Sequence, residues 1–273
     1  GIGAAAARHL AQRGWTVFAG VRSEADGNRL KDGATGDLRP LILDVTKEAD
    51  VQAAAETLRA ALGSRRLAGL VNNAGIARMG PLALQPMEDF EAQFRVNVFG
   101  LLRVTQAMAP LLGSDPAREG PPGRIVNITS VGGRISSPFL GAYAATKHAV
   151  EAMTDALRRE LALYGIDAIA IGPGSVRTPI WDKAETANAD SPYLTSDYAG
   201  ALKQFEKIML GGGRTGLPPE EIAAVIETAL TDPKPKARYA PVPQKLTNWT
   251  IPTRLPKRVL DGIFASRFGL RKN

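Results

Sequence analysis

Strand-like and helix-like patterns alternate along this chain from its first residues, and this alternation limits the folds that are available to it. Short apolar runs predict strands at residues 15–20, 41–43, 67–71, 124–128 and 166–171. Between them, longer runs with helical spacing predict helices at residues 1–12, 47–62, 87–112 and 142–164. Such alternation is typical of a parallel sheet with helices on both faces. The predicted fold class is therefore α/β, a doubly wound parallel sheet in a single domain spanning residues 1–273.

The composition excludes several classes of function. The chain has no cysteine and two histidines, His9 and His148, which fall on separate predicted helices. Disulfides, thiolate chemistry and a histidine-rich metal site are therefore excluded. The net charge is +7, but there is no nucleic-acid motif, and no apolar run approaches the ~20 residues of a membrane span. We expect a cytoplasmic enzyme with a basic surface that acts on small molecules, without metal or nucleic acid.

The first helix opens on two glycines, Gly1 and Gly3, with Ile2 between them. Glycine lets the backbone approach a pyrophosphate closely, and the helix that follows offers free N–H groups and the positive end of its dipole. The same pattern also occurs in ordinary tight turns. The glycine pair is therefore compatible with a dinucleotide site without establishing one.

Polar or glycine-containing clusters follow three of the predicted strands. In open α/β sheets, ligands bind beyond the carboxyl ends of the strands. Each cluster alone could be a turn, since Asn, Asp and Gly are common turn formers. Their shared position favours a ligand site formed by Asp44, Val45, Asn72, Ala74, Gly75 and Ser130.

Tyr143 and Lys147 are four residues apart on a predicted helix, so their side chains share one face. A phenol with its ordinary pKa of about 10 is a poor base at neutral pH. An ammonium beside it should lower that pKa and suit the tyrosine to exchange a proton with an alcohol. Ser130 could then bind the substrate oxygen as charge develops. A bare Y-x-x-x-K is more often a solvated helix face, but Ser130 upstream favours the catalytic interpretation.

These motifs together resemble, in order, those of the short-chain dehydrogenase/reductase family, and the retinol and steroid dehydrogenase branch in particular. The resemblance covers about residues 1–235. It implies a Rossmann-like fold and an oxidoreductase that moves hydride between a nicotinamide dinucleotide and an alcohol or ketone. The matching segments are Gly1-Ile2-Gly3, Asn72-Asn73-Ala74-Gly75, Ser130, Tyr143-Ala144-Ala145-Thr146-Lys147 and Pro173-Gly174.

The resemblance also implies roles for particular residues. Tyr143 would be the general acid and base, and Lys147 would bind the nicotinamide ribose and lower the Tyr143 pKa. Ser130 would polarise the carbonyl, and Asn97 would hold a water in the proton relay. Asp44 and Val45 would touch the adenine. Asn72, Ala74 and Gly75 would line the adenosine and ribose side of the cofactor. The carboxamide end would be held by Pro173, Gly174, Val176 and Thr178. A homodimer or homotetramer is implied as well, through the helices that carry Asn97 and Tyr143.

The residues after the strand at 15–20 predict which cofactor is used. An acidic side chain there would bind the ribose 2′-hydroxyl of NAD, whereas a cation would favour the 2′-phosphate of NADP. This chain has Arg22 and Ser23 and no acid before Glu24. NADP(H) is therefore favoured and NAD(H) remains possible, the alternative being an arginine that simply faces solvent.

Two segments bear on the substrate. Residues 175–216 are predicted to form an irregular flap beside the ligand. Apolar side chains in and near this flap suggest a pocket for a lipophilic secondary alcohol or ketone. The alternative is that they belong to the hydrophobic core. They are Ile135, Pro138, Phe139, Leu140, Ile180, Trp181 and Met209. The tail at residues 246–273 mixes apolar and basic side chains. Packing over the substrate pocket or a neighbouring subunit is favoured over peripheral contact with an anionic membrane.

The chain starts at the last two glycines of the family motif T-G-x-x-x-G-x-G. We therefore expect the first strand and the start of the glycine-rich turn to be missing, two strand edges to lack partners, and folding or cofactor affinity to be impaired.

Three alternatives to an oxidoreductase remain: a hydrolase, which lacks its G-x-S-x-G elbow here, an epimerase or dehydratase of the extended branch, and a non-catalytic dinucleotide-binding regulator. The regulator is the main alternative, although Ser130, Tyr143 and Lys147 are all present.

Overall fold

Parallel strands sandwiched between helices form the frame of the protein. The computed structural model describes residues 1–178 and 191–271. The strands are β1 (Val17–Val21), β2 (Leu38–Ile42), β3 (Gly69–Asn72), β4 (Arg124–Ile128), β5 (Asp167–Ile171) and β6 (Arg238–Tyr239). The helices are α1 (Ile2–Gln12), α2 (Glu24–Lys31), α3 (Glu48–Leu62), α4 (Met87–Phe94), α5 (Leu101–Ala109), α6 (Gly141–Glu160), α7 (Ala199–Arg214), α8 (Pro219–Thr231) and α9 (Lys257–Phe268).

The strands form two hydrogen-bonded groups. β1 pairs with β2, and β3, β4, β5 and β6 pair in that order, every pair being parallel. Within the described residues, β1 and β3 therefore each have a hydrogen-bonded neighbour on one side only. The predicted α/β class and parallel pairing are confirmed. The expected effect of the two free edges on folding and cofactor affinity stays a prediction.

Alternate residues of the central strands enter two separate cores, one on each face. Val126 and Ile169 are fully buried against α1 and α8, where Ile226 packs on them. Their chain neighbours Ile125 and Ala168 are buried on the opposite face, against α3 and α5. This alternation with period two is what a strand buried on both faces requires. It confirms that the sheet is doubly wound.

Two predicted elements differ in detail from those observed. β2 starts at Leu38 and includes Pro40, whereas the sequence predicts a strand only at residues 41–43. Proline cannot donate a ladder hydrogen bond and is tolerated at a sheet edge, which is where β2 lies. The helix predicted at residues 87–112 is also interrupted by a π-helical turn, Arg95–Gly100, between α4 and α5.

The prediction of an irregular flap is wrong for much of its length. Ala199–Arg214 forms the 16-residue helix α7, which includes the glycine triplet 211–213. Ala201, Leu202 and Phe205 recur at helical spacing and are buried, so packing overrides the low helix propensity of glycine. Ile180 and Trp181, two of the predicted pocket residues, lie outside the described residues.

The C-terminal tail packs on α7 through an aromatic cluster. Phe268 of α9 is 3% exposed, and its ring centroid lies 5.4 Å from that of Phe205 and 5.9 Å from that of Phe264. Phe205 in turn contacts Phe139, four residues before Tyr143. The tail is thus packed on α7, and whether it lies over the substrate pocket stays a prediction. No helix among the described residues is both long and apolar enough to cross a membrane.

Candidate active site

Tyr143 and Lys147 lie in the first two turns of α6 and face the end of β4. The Lys147 side chain is buried, and its ammonium nitrogen Nζ donates a hydrogen bond to the Ile128 carbonyl at 2.9 Å. The same nitrogen lies 5.7 Å from the centroid of the Tyr143 ring. The predicted pairing of phenol and ammonium on one helix face is therefore present, and it is tied to the last residue of the strand that precedes Ser130.

The electrostatics of this pair differ from the expectation. Burial raises the pKa of Tyr143, and a hydrogen bond with Ser130 acts in the opposite direction. Burial also lowers the pKa of Lys147 to about 8, while the Glu151 carboxylate acts to raise it. The phenol keeps a pKa above its ordinary value because the burial of Tyr143 outweighs its hydrogen bond with Ser130. The net lowering of the Tyr143 pKa that the sequence predicts is therefore not found.

Ser130 follows β4 directly and begins a short 3₁₀ turn, Val131–Gly133. Its hydroxyl accepts a hydrogen bond from the Gly132 N–H at 3.0 Å and is hydrogen-bonded to Tyr143. A methyl group at Gly132 would lie 3.4 Å from the Ser130 Oγ and 3.5 Å from the Tyr143 ring. The turn therefore places the Ser130 hydroxyl beside the Tyr143 side chain.

Asn97 lies in the π-helical turn and is 1% exposed. Its Oδ1 accepts from the Ile76 N–H at 2.8 Å, and its Nδ2 donates to the Ile76 carbonyl at 2.9 Å and to the Thr146 hydroxyl at 3.0 Å. Thr146 precedes Lys147 on α6. The asparagine side chain thus fastens the loop after β3 to the helix that carries the catalytic pair.

Three glycines of the site lie next to side chains from other segments. A methyl group on Gly3 would lie 2.5 Å from the Asn73 amide nitrogen, and one on Gly1 would lie 3.7 Å from Thr178. One on Gly75 would lie 3.4 Å from the Asn97 Oδ1 and 3.7 Å from the Lys147 Nζ. The start of α1, the loop after β3 and the segment after β5 therefore converge beside Lys147.

Some predicted cofactor contacts are engaged within the protein instead. The Asn72 amide is buried and donates to Thr105 at 3.0 Å and to Asn127 at 2.9 Å, so its side chain points into the sheet and does not line a ligand site. The Asp44 carboxylate accepts from the hydroxyl and N–H of Thr46, which lowers its pKa. Val45 packs on the π-helical turn at Gly100. In contrast, Ala74 and Gly75 are exposed.

The two residues expected to determine the cofactor preference, Arg22 and Ser23, differ in their side-chain contacts. Ser23 caps α2, because its hydroxyl accepts from the Asp26 N–H at 3.2 Å and donates to the Asp26 carboxylate at 2.9 Å. Arg22 is exposed, and within the part of the chain that the structure describes it forms no hydrogen bond or ion pair. Of the two, Arg22 has the side chain that is free to meet a phosphate.

The segment after β5 is held by its backbone. Pro173 accepts from the Val131 N–H at 2.9 Å, and Gly174 donates to the Pro241 carbonyl at 3.0 Å. Val176 is buried and pairs with Leu217 in an isolated β-bridge, while Thr178 is partly buried beside Gly1. Pro173, Gly174, Val176 and Thr178 are therefore fixed in a loop that lies between the 3₁₀ turn and the start of α1.

Sequence reasoning missed a buried polar group next to this site. Glu151, one turn beyond Lys147 on α6, is 7% exposed. It accepts a hydrogen bond from the Thr129 hydroxyl at 2.6 Å and forms ion pairs with Arg134 and Arg238. Its spacing from Tyr143, eight residues, places it on the same helix face, and this was the signal available in the sequence.

A dinucleotide fits the residues that converge here. The first turn of α1 has no side-chain cap and no acidic residue, so its free N–H groups and positive dipole end remain open to an anion. A methyl group on Gly3 would clash with the Asn73 side chain, and Gly75 is exposed next to the buried Lys147 cation. Among the described residues, no group of acidic side chains and histidines could hold a metal ion.

A doubly wound parallel sheet with this anion-binding helix end and a Ser–Tyr–Lys group at its strand ends defines a dinucleotide-dependent oxidoreductase. The family model described as short chain dehydrogenase matches residues 1–189. The chain belongs to the short-chain dehydrogenase family, whose members act on CH–OH groups with NAD or NADP.

Similar proteins agree with this assignment across nearly the whole chain. An NADPH-dependent 3-dehydrocapnine reductase from Ornithobacterium rhinotracheale is 37% identical over 264 residues, covering 97% of this chain and 92% of that protein. Mouse retinol dehydrogenase 5 is 34% identical, covering 96% of this chain and 84% of that protein. A short-chain dehydrogenase/reductase from Burkholderia phymatum, solved in complex with NAD, superimposes with a TM-score of 0.76 at 26% identity, covering 96% and 90% of the two chains.

Proposed function

We propose that this protein interconverts a lipophilic secondary alcohol and its ketone, using NADP(H), with Tyr143 as the general acid and base. The observation that carries the proposal is the meeting of Ser130, Tyr143 and Lys147 at the end of β4, beside the exposed Gly75. A non-catalytic dinucleotide-binding regulator would have no need of this arrangement.

The proposed chemistry is a proton transfer coupled to hydride transfer. In the reducing direction, the Ser130 hydroxyl binds the ketone oxygen and the Tyr143 phenol donates its proton to that oxygen as the carbonyl carbon receives hydride. In the oxidising direction Tyr143 takes the alcohol proton. The bound nicotinamide ring supplies or accepts the hydride. Lys147, charged at neutral pH, stabilises the phenolate that remains after proton donation.

Asn97 and the segments around it would position the cofactor and the proton path. Asn97 supports Thr146 and the loop after β3, and we assign it the relay position that the family resemblance implies. The residues that would hold the dinucleotide are those at the convergence of α1 and the strand ends. They are Gly1, Ile2, Gly3, Ala74, Gly75, Lys147, Pro173, Gly174, Val176 and Thr178.

The preference for NADP(H) over NAD(H) is supported by Arg22. Its guanidinium is exposed just beyond β1 and forms no ion pair among the residues described, and a guanidinium can bind a 2′-phosphate with two hydrogen bonds. The similar 3-dehydrocapnine reductase is named as NADPH-dependent, whereas the Burkholderia phymatum structure holds NAD. Arg22 is therefore the residue on which the preference depends.

A lipophilic substrate is supported by the apolar side chains around the proposed site. Ile135, Pro138, Leu140 and Met209 are partly buried and leave apolar surface accessible. Phe139 is 5% exposed and packs on Phe205, so it belongs to the core instead. The name of the mouse relative, retinol dehydrogenase 5, agrees with a lipophilic alcohol.

A panel of alcohols and ketones tests the proposal directly. Turnover is followed by the absorbance of the reduced nicotinamide, with each cofactor, on a series of secondary alcohols and ketones of rising chain length. We expect kcat/KM to rise with apolar chain length, as each buried methylene contributes about 0.8 kcal/mol, and to be higher with NADPH. Equal turnover of short polar and long apolar substrates would contradict the lipophilic assignment.

We also propose a homodimer or homotetramer in solution. The helical segment that carries Asn97 leaves Phe99 53% exposed beside a groove formed with Leu102, Arg103 and Gln52. Analytical ultracentrifugation of the wild type and Phe99→Asp would measure this. A monomeric wild type would contradict it.

A further inference from the structure

A buried ion pair lies directly behind the proposed catalytic residues. Both carboxylate oxygens of Glu151 lie 3.0 Å from the Arg238 Nε, and Arg134 reaches the carboxylate at 3.3 Å. Glu151 is 7% exposed, and the Arg238 side chain is 16% exposed. Such a pair is costly to desolvate unless every partner is in place, so its position behind the site calls for an explanation beyond stability.

The contacts of the pair reach the three segments on which the chemistry depends. Glu151 lies one turn beyond Lys147 on α6 and accepts from the Thr129 hydroxyl at 2.6 Å. Arg238 donates to the Ser130 carbonyl, with its Nη2 3.4 Å away. The backbone after β5 presses on the same guanidinium, because a methyl group on Gly172 would lie 2.1 Å from its Nη2.

The pair also joins the site to the C-terminal tail. The Arg238 guanidinium lies over the Trp249 ring, 4.2 Å from its centroid, which is within the range of a favourable cation–π contact. Trp249 belongs to the π-helical turn Leu246–Thr250. The tail therefore holds the arginine from one side, and the carboxylate holds it from the other.

We propose that Glu151 and Arg238 are positioning residues for the proposed reaction. Together they keep the Lys147 side chain charged and fix the position of the Ser130 backbone. Neither residue touches the reacting atoms. Glu151 supplies the negative charge behind the Lys147 ammonium, and Arg238 balances that charge while anchoring the turn that begins at Ser130. The proposal rests on the catalytic roles assigned above to Tyr143, Ser130 and Lys147.

The electrostatic part of the proposal predicts opposite effects for the two partners. Burial lowers the pKa of Lys147 to about 8 and Glu151 acts against this, so Glu151→Gln should lower that pKa further. Arg238→Met removes a cation and leaves the carboxylate less neutralised, so it should raise the Lys147 pKa. In the described structure, Tyr143 on α6 also faces Lys147, and Arg134 on the segment after β4 also faces Glu151.

The test is an NMR titration of the cofactor-free protein labelled at the lysine ε-carbon, with Lys147 assigned by its absence in Lys147→Arg. We expect the Lys147 titration to move down by about half a unit or more in Glu151→Gln and up in Arg238→Met. Glu227→Gln is the matched control, because Glu227 pairs with Arg13 and His9 on the distant α1–α8 face. It should leave the titration unchanged.

Kinetics provide the second readout. In Glu151→Gln, the fall of kcat/KM for ketone reduction at alkaline pH should begin at a lower pH than in the wild type. Glu151→Asp should restore part of the wild-type pH profile. Unchanged Lys147 titrations and pH profiles in both variants would overturn the proposal. If Glu151→Gln does not fold, the direction of the Lys147 pKa shift in Arg238→Met tests the proposal instead. Turnover by Tyr143→Phe would instead overturn the proposed function, which keeps the two failures distinguishable.

Discussion

The Lys147 ammonium lies 5.7 Å from the centroid of the Tyr143 ring, one helical turn along α6. That ammonium is also hydrogen-bonded to the Ile128 carbonyl at the end of β4, 2.9 Å away. A single helix face is thereby attached to the strand end from which Ser130 follows. The site is fixed by secondary structure, which positions side chains more accurately than loops do.

Lys147 should make stability depend on pH. Its pKa in the folded protein is lowered by burial to about 8 from an ordinary 10.5. Between these values the unfolded chain binds a proton that the folded protein does not, so stability rises with pH through this window. Lys147→Met should abolish that rise, which amounts to at most about 3 kcal/mol.

Urea unfolding of the wild type and Lys147→Met from about pH 7.5 to 10 measures this. Lys203→Met, on the exposed face of α7, should follow the wild type. Parallel curves for the wild type and Lys147→Met would mean that Lys147 titrates normally in the folded protein.

Asn97 should matter for both stability and turnover. Asn97→Ala leaves the Ile76 N–H and carbonyl without their partner, which should lower the free energy of unfolding by about 1–3 kcal/mol. Because the asparagine also fastens Thr146 next to Lys147, we expect kcat to fall about tenfold or more. Chemical denaturation and steady-state kinetics measure the two effects.

Asn127→Ala is the matched control for this prediction. Asn127 is equally buried and links Asn72 to Thr154 deeper in the sheet, at 2.9 Å to each. Asn127→Ala should lose about as much stability as Asn97→Ala, with little change in kcat. Equal losses of kcat in the two variants would show that Asn97 has no special connection to the site.

Arg22 should determine the choice of cofactor. Arg22→Ala removes the exposed cation beyond β1, and the loss of a charge-assisted hydrogen bond should raise KM for NADPH about tenfold or more without changing KM for NADH. Arg29→Ala, which removes a cation paired with Asp26 on the same α2 segment, should change neither constant. A wild type that prefers NADH would contradict the assignment at the outset.

The aromatic cluster should hold the tail on α7. Phe268→Ala removes a ring that is 3% exposed and packed on Phe205, which should lower the free energy of unfolding by about 3 kcal/mol. Limited proteolysis should then cut the tail faster. Leu163→Ala, at a side chain 81% exposed, should change neither property. An uncut tail in Phe268→Ala would show that other contacts hold it.

The fold class and the central chemistry could be predicted from the sequence because both depend on local patterns. The alternation of apolar runs predicted the parallel sheet, and the spacing of Tyr143 and Lys147 predicted a shared helix face. α7 could not be predicted in the same way, because three successive glycines disfavour a helix. The burial of Phe205 against the distant Phe268 stabilises it instead.

Long-range contacts explain the remaining differences. Asn72 follows a strand as a ligand residue would, but its amide donates to Thr105 and Asn127, partners 33 and 55 residues away. The spacing of Glu151 from Tyr143 indicates a shared helix face, but its ion pair could not be predicted because its partner Arg238 is 87 residues distant. Burial likewise determines the direction of the Tyr143 pKa, and burial follows from packing that spacing alone does not reveal.

The most direct measurement is the turnover of Tyr143→Phe alongside its affinity for NADPH. The variant removes one oxygen and leaves the ring that Lys147 faces. The account predicts that kcat for a lipophilic ketone falls about 10²–10⁴-fold while the Kd for NADPH stays within about twofold of the wild type. Tyr164→Phe, at a tyrosine 43% exposed beyond the end of α6, should retain full activity. Undiminished turnover in Tyr143→Phe would contradict the account.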